Sequence, residues 1–471
     1  MQNNMGYWRK NNSLVNLLYV QKGKVTLYLS KFFKIKEVDN NIYAIYNSLL
    51  MKIYFVTTKE LNNIINSKIS NKKIIKQLSK AGILVEDFEK DNIALKYLQQ
   101  KYKQTFGKVE ILYLILSQSC NLGCKYCFLE NEFANWKNET MSFDIAKISI
   151  DKFNNYLLKN EIITPRIMLY GGEALLNWST IIKIIEYTEK INSNIVYSIV
   201  TNGTLTTKEM IEYLKHHNVS IAISLDGPKD INDKNRVFKN SVNSVYDSVM
   251  KTIENLKNSK CRFGLSIALN DELISNNERV ISWLNQININ DIYYNLFHYG
   301  EKSIDWNKHS IESANFIINS HNTLSKQNIY DGRILRQLDS LFYENFKFTD
   351  CAAVGRNQIS ISPNGDMRIC HSDYLDEENL IGNIMENNIH DIKNMKNTCF
   401  DYPPIMNNDC IECEAIHICG GGCPIQAKHY FKDKKKYIDK AYCLYNKTIL
   451  DWFLQYSYNN YIEKNGGVEN D

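Results

Sequence analysis

The chain has 471 residues, 44% of them hydrophobic, and a formal charge of +4. That length predicts two or three globular domains, and the composition excludes a disordered, collagen-like or small disulfide-stapled protein. No apolar run is long enough to span a bilayer, and the first residues, MQNNMGYWRKNNS, lack the apolar core of a secretory signal. A cytoplasmic location with no membrane partner is therefore expected. In that compartment, 12 cysteines point to metal rather than to disulfides.

The charge is unevenly spread. Residues 1–105 carry 18 Lys and Arg against 7 Asp and Glu, whereas the rest of the chain is net acidic. A basic module that meets an acidic partner would show this asymmetry, and so would a solvated, lysine-rich surface. Strand-like runs occupy Lys24–Leu29 and Ile42–Thr57, the second broken near Asn47-Ser48. Helices are expected over Thr58–Asn66, capped by Thr57 or Thr58, and over Asn71–Ala81. Gly82 ends the second helix, and Ile83-Leu84-Val85 turns back as a short strand. These elements suggest a small winged-helix-like domain over residues 1–105.

From Val109 to Phe297 strands and helices alternate. Strands are expected near 109–117, 166–170, 195–201, 219–225, 262–268 and 291–297. Amphipathic helices fill the gaps over Phe143–Leu158, Thr180–Ile191, Lys208–His216, Ser241–Leu256 and Asn276–Gln286. Six βα units in succession imply an α/β domain, residues 106–300, whose parallel sheet curls into a partial, TIM-like (β/α)6 barrel. In such folds chemistry sits at the carboxyl ends of the strands. Four unusual turns fall there. They are the loop Cys120-x3-Cys124-x2-Cys127 after the first strand, Tyr170-Gly171-Gly172-Glu173, Thr201-Asn202-Gly203-Thr204, and Ser224-Leu225-Asp226-Gly227-Pro228.

Three thiolates on a short loop can hold three irons of a [4Fe–4S] cube and leave the fourth open. A closed zinc site would need a fourth ligand, and none follows nearby. Gly171 and Gly172 allow a ligand to approach the backbone, and Glu173 can accept a charge-assisted hydrogen bond. Asn202, Ser224 and Asp226 offer donors and acceptors, and Arg236 can pair with a carboxylate.

With Tyr126 before its third cysteine, this loop resembles the cluster loop of the radical S-adenosylmethionine (SAM) superfamily. The resemblance implies that the open iron chelates the methionine moiety of SAM, and that reductive cleavage then yields a 5′-deoxyadenosyl radical. It also implies that Gly171, Gly172 and Glu173 meet the SAM amino group. Tyr126, Asn202, Ser224, Asp226 and Arg236 complete the candidate SAM site.

Residues 301–345 read as a cysteine-free helical bridge. A second cysteine field follows. Cys351 precedes Gly365 and Cys370, then Cys410-x2-Cys413-x5-Cys419-x3-Cys423, and finally Cys443. Seven thiolates exceed one tetrahedral zinc site. The spacing resembles the SPASM extension of peptide-modifying radical SAM enzymes. By that resemblance Cys410, Cys413, Cys419 and Cys443 ligate one auxiliary [4Fe–4S] cluster, and Cys351, Cys370 and Cys423 hold another with an open iron. The SPASM region is expected over residues 346–450, with a helix and tail over 451–471. Cys261 reads as a core thiol, Cys399 as a bystander rather than an outsider ligand, and His371 as an exposed residue, the alternative being an outer-shell group to the cluster. Sulfatase-maturing relatives carry an acidic residue at the position of His371, although Asp373 stands close by.

Together these readings imply a radical SAM/SPASM oxidoreductase with SAM and three [4Fe–4S] clusters. It would form a thioether or carbon–carbon crosslink in a ribosomal precursor peptide. The N-terminal domain resembles the peptide-recognition element fused to many such enzymes, and a flavodoxin or ferredoxin would supply electrons. The alternatives are an anaerobic sulfatase maturase forming formylglycine, a small-molecule SPASM dehydrogenase, and a non-enzymatic Fe–S regulator that binds DNA. Nucleic acid is the less favoured partner.

Overall fold

The computed structural model describes residues 26–66, 68–127, 138–289, 291–296, 305–372, 379–394, 398–429 and 436–465. The start of the strand expected from Lys24, and Phe128, Phe297 and Asp373, lie outside these residues. Near the N-terminus, β1 (Tyr28–Leu29), β2 (Phe33–Asp39), β3 (Ile42–Asn47) and β4 (Ile53–Thr57) precede helices Thr58–Ile65 and Lys72–Lys80 and then β5 (Leu84–Val85). Strands β2, β3 and β4 form an antiparallel sheet, and β1 pairs with β5. Thr57, not Thr58, caps the first helix. Its side chain accepts from the Glu60 amide at 3.2 Å, and its own amide donates to the Glu60 carboxylate at 2.8 Å, a reciprocal capping box.

The sequence reading did not include β2 or the helix Glu89–Thr105. Only Asp91, Leu98 and Tyr102 of that helix's 17 residues are buried, and no side chain caps its N-terminus. It therefore shows little amphipathic period. Asp91 accepts from the Ser30 hydroxyl at 2.7 Å and the Lys31 amide at 2.9 Å. Leu98 and Tyr102 pack with Phe32 and Leu49 but also with Ile405 and Ile416. The region expected as a separate N-terminal domain thus shares a core with the cysteine-rich end of the chain.

The central strands are β6 (Ile111–Ser117), β7 (Arg166–Gly171), β8 (Val196–Thr201), β9 (Ser220–Ser224), β10 (Phe263–Leu269) and β11 (Asp291–Leu296). They lie side by side in chain order, all parallel. Helices Phe143–Asn160, Trp178–Ile191, Lys208–His216, Val245–Asn258 and Asn277–Ile287 connect them. The fourth helix starts later than the expected Ser241 because Ser244 caps it, accepting from the Asp247 amide at 3.0 Å.

The sheet is wider than six strands. The stretch read as a helical bridge contains helices Trp306–Leu324 and Gly332–Phe342, but also β12 (Tyr330–Asp331), parallel to β11. On the other edge β13 (Gln358–Ile361) runs parallel to β6, and β14 (Asp366–Arg368) and β15 (Leu380–Asn383) continue antiparallel. The cysteine-rich region therefore extends the same ten-stranded sheet rather than standing apart from it.

The two faces of the central strands differ. Leu112, Leu114, Ile167, Leu169, Ile199, Ile223, Leu265 and Ile267 are fully buried. The alternate residues, among them Tyr113, Arg166, Ser198, Ala222, Ser266 and Tyr293, line one cavity of about 880 Å³. Same-face residues of six consecutive strands meet around a single space only if the sheet wraps around it. The chain closes with helix Lys440–Asn465, on which Phe55 of β4 packs against Tyr458.

Arg356, 1% exposed, ties the cysteine-rich region together: it donates to the Ile392 carbonyl at 2.8 Å and pairs with Asp401. Arg356→Ala leaves that carboxylate unpaired and is expected to cost about 3 kcal/mol. Chemical denaturation followed by tryptophan fluorescence checks this.

Candidate active site at the carboxyl ends of the strands

The cysteine loop leaves β6 and is held from two sides. On one side, Gly123 donates to the Val237 carbonyl at 2.8 Å, Lys125 to Asn235 at 2.9 Å, and Lys239 to Asn121 at 3.2 Å. The loop is thus zipped to the segment that follows helix Lys229–Asn235. On the other side, the end of β7 passes directly against the backbone leading to Cys120. Gly172 donates to Ser117 at 2.7 Å and Glu173 to Ser119 at 2.9 Å. A Cβ on Gly171 would stand 2.3 Å from the Ser117 oxygen, and one on Gly172 would stand 2.6 Å from the oxygens of Gln118 and Ser119. The double glycine is therefore demanded by the cysteine loop itself. The Gly172 amide, expected to be free for a ligand, is already used.

Glu173 is 1% exposed and accepts three hydrogen bonds, from the Asn202 amide at 2.7 Å, the Thr201 hydroxyl at 2.7 Å and the Leu175 amide at 3.0 Å. Burial raises the pKa of its carboxyl against the lowering effect of these donors. It ties the β7 turn to the end of β8. Asn202 then reaches back to the thiols. Its amide nitrogen stands 3.7 Å from the Cys120 sulfur and 2.8 Å from the Asn121 side-chain oxygen. The Ser224 side chain, half-buried at the end of β9, makes no hydrogen bond among the described residues.

Asp226 is fully buried and saturated by the chain. Arg236 grips it with Nε at 2.8 Å and a terminal nitrogen at 3.1 Å, the Ala268 amide donates at 2.9 Å, and the Tyr126 hydroxyl donates as well. The Arg236 guanidinium lies 5.5 Å from the centre of the Tyr126 ring. In the sequence reading Asp226 and Arg236 were separate ligands for a small molecule. The structure spends each on the other, and both on the aromatic residue inside the cysteine loop. A spacing of ten residues across a helix gives no sign of such a pair.

Burial pushes the Cys120 thiol up to about 11 and the Cys124 thiol up to about 12, while the Arg236 charge pulls Cys124 back. Cys127 packs with Tyr113 and Tyr170 around Ile115. His371, expected to be exposed, is half-buried here. Its ring stacks on Tyr113 at 4.3 Å and meets Tyr170 edge-on at 4.8 Å. Its buried Nδ1 has no partner among the described residues, and burial lowers its pKa to about 4. No sequence signal announced this layer, because Tyr113, Tyr170 and His371 lie on three separate strands or loops.

The cysteine-rich region sorts its thiols by position. Cys410, Cys413, Cys419 and Cys443 line one cavity of about 30 Å³. Cys351 stands close enough to Cys423 to raise its pKa, and Cys351 and Cys370 both raise that of Tyr113. Gly420, with φ +66°, sits where a Cβ would meet the Asp350 amide at 2.3 Å. It brings the loop of Cys419 against the residue before Cys351. Cys261 and Cys399 are buried in the main core.

A recurrent geometry bears on iron–sulfur ligation. The amide two residues after the cysteine donates to its sulfur at 3.4 Å at Cys120, Cys351, Cys370 and Cys419. Amide hydrogen bonds to sulfur favour the thiolate that a cluster requires. No three His, Cys, Asp or Glu side chains among the described residues close on a single metal ion. A cube spreads its thiolates over separate irons, so wider spacing suits it. The thiols of the first loop fit a [4Fe–4S] cluster.

The sequence model of the Radical SAM superfamily matches residues 114–284. The chain is 26% identical to the radical SAM cyclopropyl synthase TigE of Paramaledivibacter caminithermalis, over 93% of this chain and 93% of that one. It is 22% identical to a cysteine-type anaerobic sulfatase-maturating enzyme of Clostridium perfringens, over 69% of this chain and 94% of that one. Among solved structures, native anSMEcpe with bound AdoMet and Kp18Cys peptide superposes with a TM-score of 0.62 at 18% identity, covering 74% of this chain and 98% of that one. Streptococcus suis SuiB bound to precursor peptide SuiA gives 0.52 at 16%, covering 88% and 99%. Both are likenesses of fold. With the cysteine loop at the mouth of a mostly parallel sheet, residues 114–284 form a domain that matches the radical SAM superfamily, whose members are enzymes that use SAM and a [4Fe–4S] cluster.

Proposed function

We propose that this enzyme matures a ribosomally made peptide by removing two hydrogens and closing a new bond at a peptide carbon. The reading is supported by the second cysteine field, with its four-thiol cavity and the separate grouping of Cys351, Cys370 and Cys423, and by the full-length relationship to a synthase of this superfamily. Cys120, Cys124 and Cys127 would hold the first cluster. Cys410, Cys413, Cys419 and Cys443 would hold one auxiliary cluster, and Cys351, Cys370 and Cys423 the other. When bound, SAM and the first cluster would supply a 5′-deoxyadenosyl radical able to abstract hydrogen, and the auxiliary clusters would supply an acceptor for the electron that bond closure and loss of a proton release. The chain's own residues orient and shield. Asn202 and the Leu122 amide support the Cys120 thiolate. The Tyr113, His371 and Tyr170 rings form a wall between the first thiol group and Cys370, limiting water.

Thioether formation is the first reading, since three thiolates leave one iron of an auxiliary cube for a substrate sulfur. Ring closure between two carbons is the second, favoured by the similarity to a cyclopropyl synthase over 93% of that protein. Formylglycine formation and a small-molecule SPASM dehydrogenase are the alternatives.

The N-terminal unit would hold the precursor. Among the described residues, the outer edge of β4 pairs with no strand. A groove of about 290 Å³ lies between its Tyr54 and Val56 and the residues Ile74, Gln77 and Leu78 of helix Lys72–Lys80. An extended segment can add there as a strand. Lys72, Lys73, Lys76 and Lys80 are exposed on that helix.

Anaerobically reconstituted enzyme with SAM and dithionite should release 5′-deoxyadenosine, and Cys124→Ala should not. Wild type should hold about 12 irons per chain and Cys124→Ala about 8. Absence of 5′-deoxyadenosine from wild type would refute the reading. Co-expression with the peptide encoded beside the enzyme should lower the peptide's mass by two hydrogens. Iodoacetamide then separates the bonds, because a thioether hides a thiol and a carbon ring does not. A Cys-x-Pro-x-Arg peptide converted to an aldehyde would establish the sulfatase-maturase alternative instead. Finally, Lys72→Glu with Lys76→Glu should raise KM for the precursor about tenfold and leave peptide-free SAM cleavage unchanged.

A further inference from the structure

The cavity inside the sheet carries an unbalanced charge. Among the described residues, four basic side chains border it, Arg166, Lys215, Lys260 and Arg262, against one acid, Asp291. That acid is taken, since Arg262 pairs with it at 2.9 Å. Lys215 is exposed and donates to the Ser259 carbonyl at 2.7 Å.

Arg166 differs from the other three. It is the first residue of β7, and its side chain lies on the inner face. It donates to the buried Ser198 hydroxyl on β8 at 2.6 Å and forms no ion pair among the described residues. Its charge is felt by Tyr113 on β6 and by Tyr293 on β11, strands at the two ends of the six-strand run. The guanidinium therefore stands inside the curl. It has five N–H donors, and a Ser hydroxyl satisfies one. A partly desolvated guanidinium with no counter-charge is unfavourable until an anion arrives, and its planar fork matches a carboxylate.

We propose that Arg166 is a carboxylate-binding residue, and that the interior of the sheet receives an acidic group of the peptide substrate. The group is either an Asp or Glu side chain or the chain-terminal carboxylate. This rests on the peptide-maturase reading. It adds a specificity: a carboxylate held at Arg166 presents the neighbouring residue toward Tyr113 and His371, and so toward the layer beside Cys127.

The test needs binding and not turnover. Full-length, anaerobically reconstituted enzyme is titrated calorimetrically with three probes. N-acetyl-aspartate N-methylamide carries a side-chain carboxylate, N-acetyl-alanine a terminal one, and N-acetyl-asparagine N-methylamide is the neutral isostere. At least one carboxylate should bind wild type about tenfold more tightly than the neutral probe. Whichever does so identifies the source. Arg166→Gln should erase the preference, and Arg166→Lys should keep part of it. Equal binding of all three probes by wild type overturns the proposal even where a variant fails to fold, and so does a preference that survives in Arg166→Gln. Either result leaves the two-hydrogen mass loss untouched, so failure here is separable from failure of the maturase reading.

Discussion

The buried ion pair between Asp226 and Arg236 governs the geometry of the first thiol group. Asp226 leaves the end of β9 with no exposure, and a lone carboxylate there would be strongly disfavoured. Arg236 neutralises it, and the same guanidinium lies against the Tyr126 ring and beside Cys124. Because Arg236 sits in the segment zipped to residues 121–125, one electrostatic contact fixes both the path of the cysteine loop and the charge next to its second thiol. Charge-assisted contacts of this kind keep a loop in place where apolar packing alone would let it slide.

The rest of the site is layered around that anchor. The double glycine of β7 allows the backbone before Cys120 to pass at contact distance, and Glu173 ties the same turn to β8. Below them lies the aromatic layer of Tyr113, Tyr170 and His371, the last contributed by the cysteine-rich region. Because β13 joins the sheet beside β6, that region cannot move as an independent body without breaking sheet hydrogen bonds. Its thiols are thereby held at a set position relative to those of the first loop.

Much of this was legible in the chain. The six central strands lie where the alternation placed them, within a residue or two, because runs such as Ile111–Leu116 and Ile221–Ile223 are apolar and bounded by turn residues. Helix Lys208–His216 follows its pattern end to end, with Thr207 as cap. The radical SAM domain was readable from the cysteine spacing and the Gly-Gly-Glu turn. Helix Glu89–Thr105 was not, since it buries one face only patchily and packs partly on residues 300 positions away. Nor was β12 or the joining of β13 to β6, because a two- or four-residue strand has no period to detect.

By itself, then, the sequence determined the ligand chemistry: which cysteines cluster along the chain, which turns end the strands, and which superfamily they resemble. Only the tertiary structure decided what each polar residue does there. Asp226, Arg236 and Glu173 each have the chemistry to hold a small molecule, and the fold turns them toward one another or toward backbone amides. Arg166 gives no hint of function at the start of an ordinary strand, and the fold leaves its charge facing a cavity. Spacing along a chain encodes which groups exist. Whether a buried charge is already neutralised depends on what the other strands bring within about 3–4 Å.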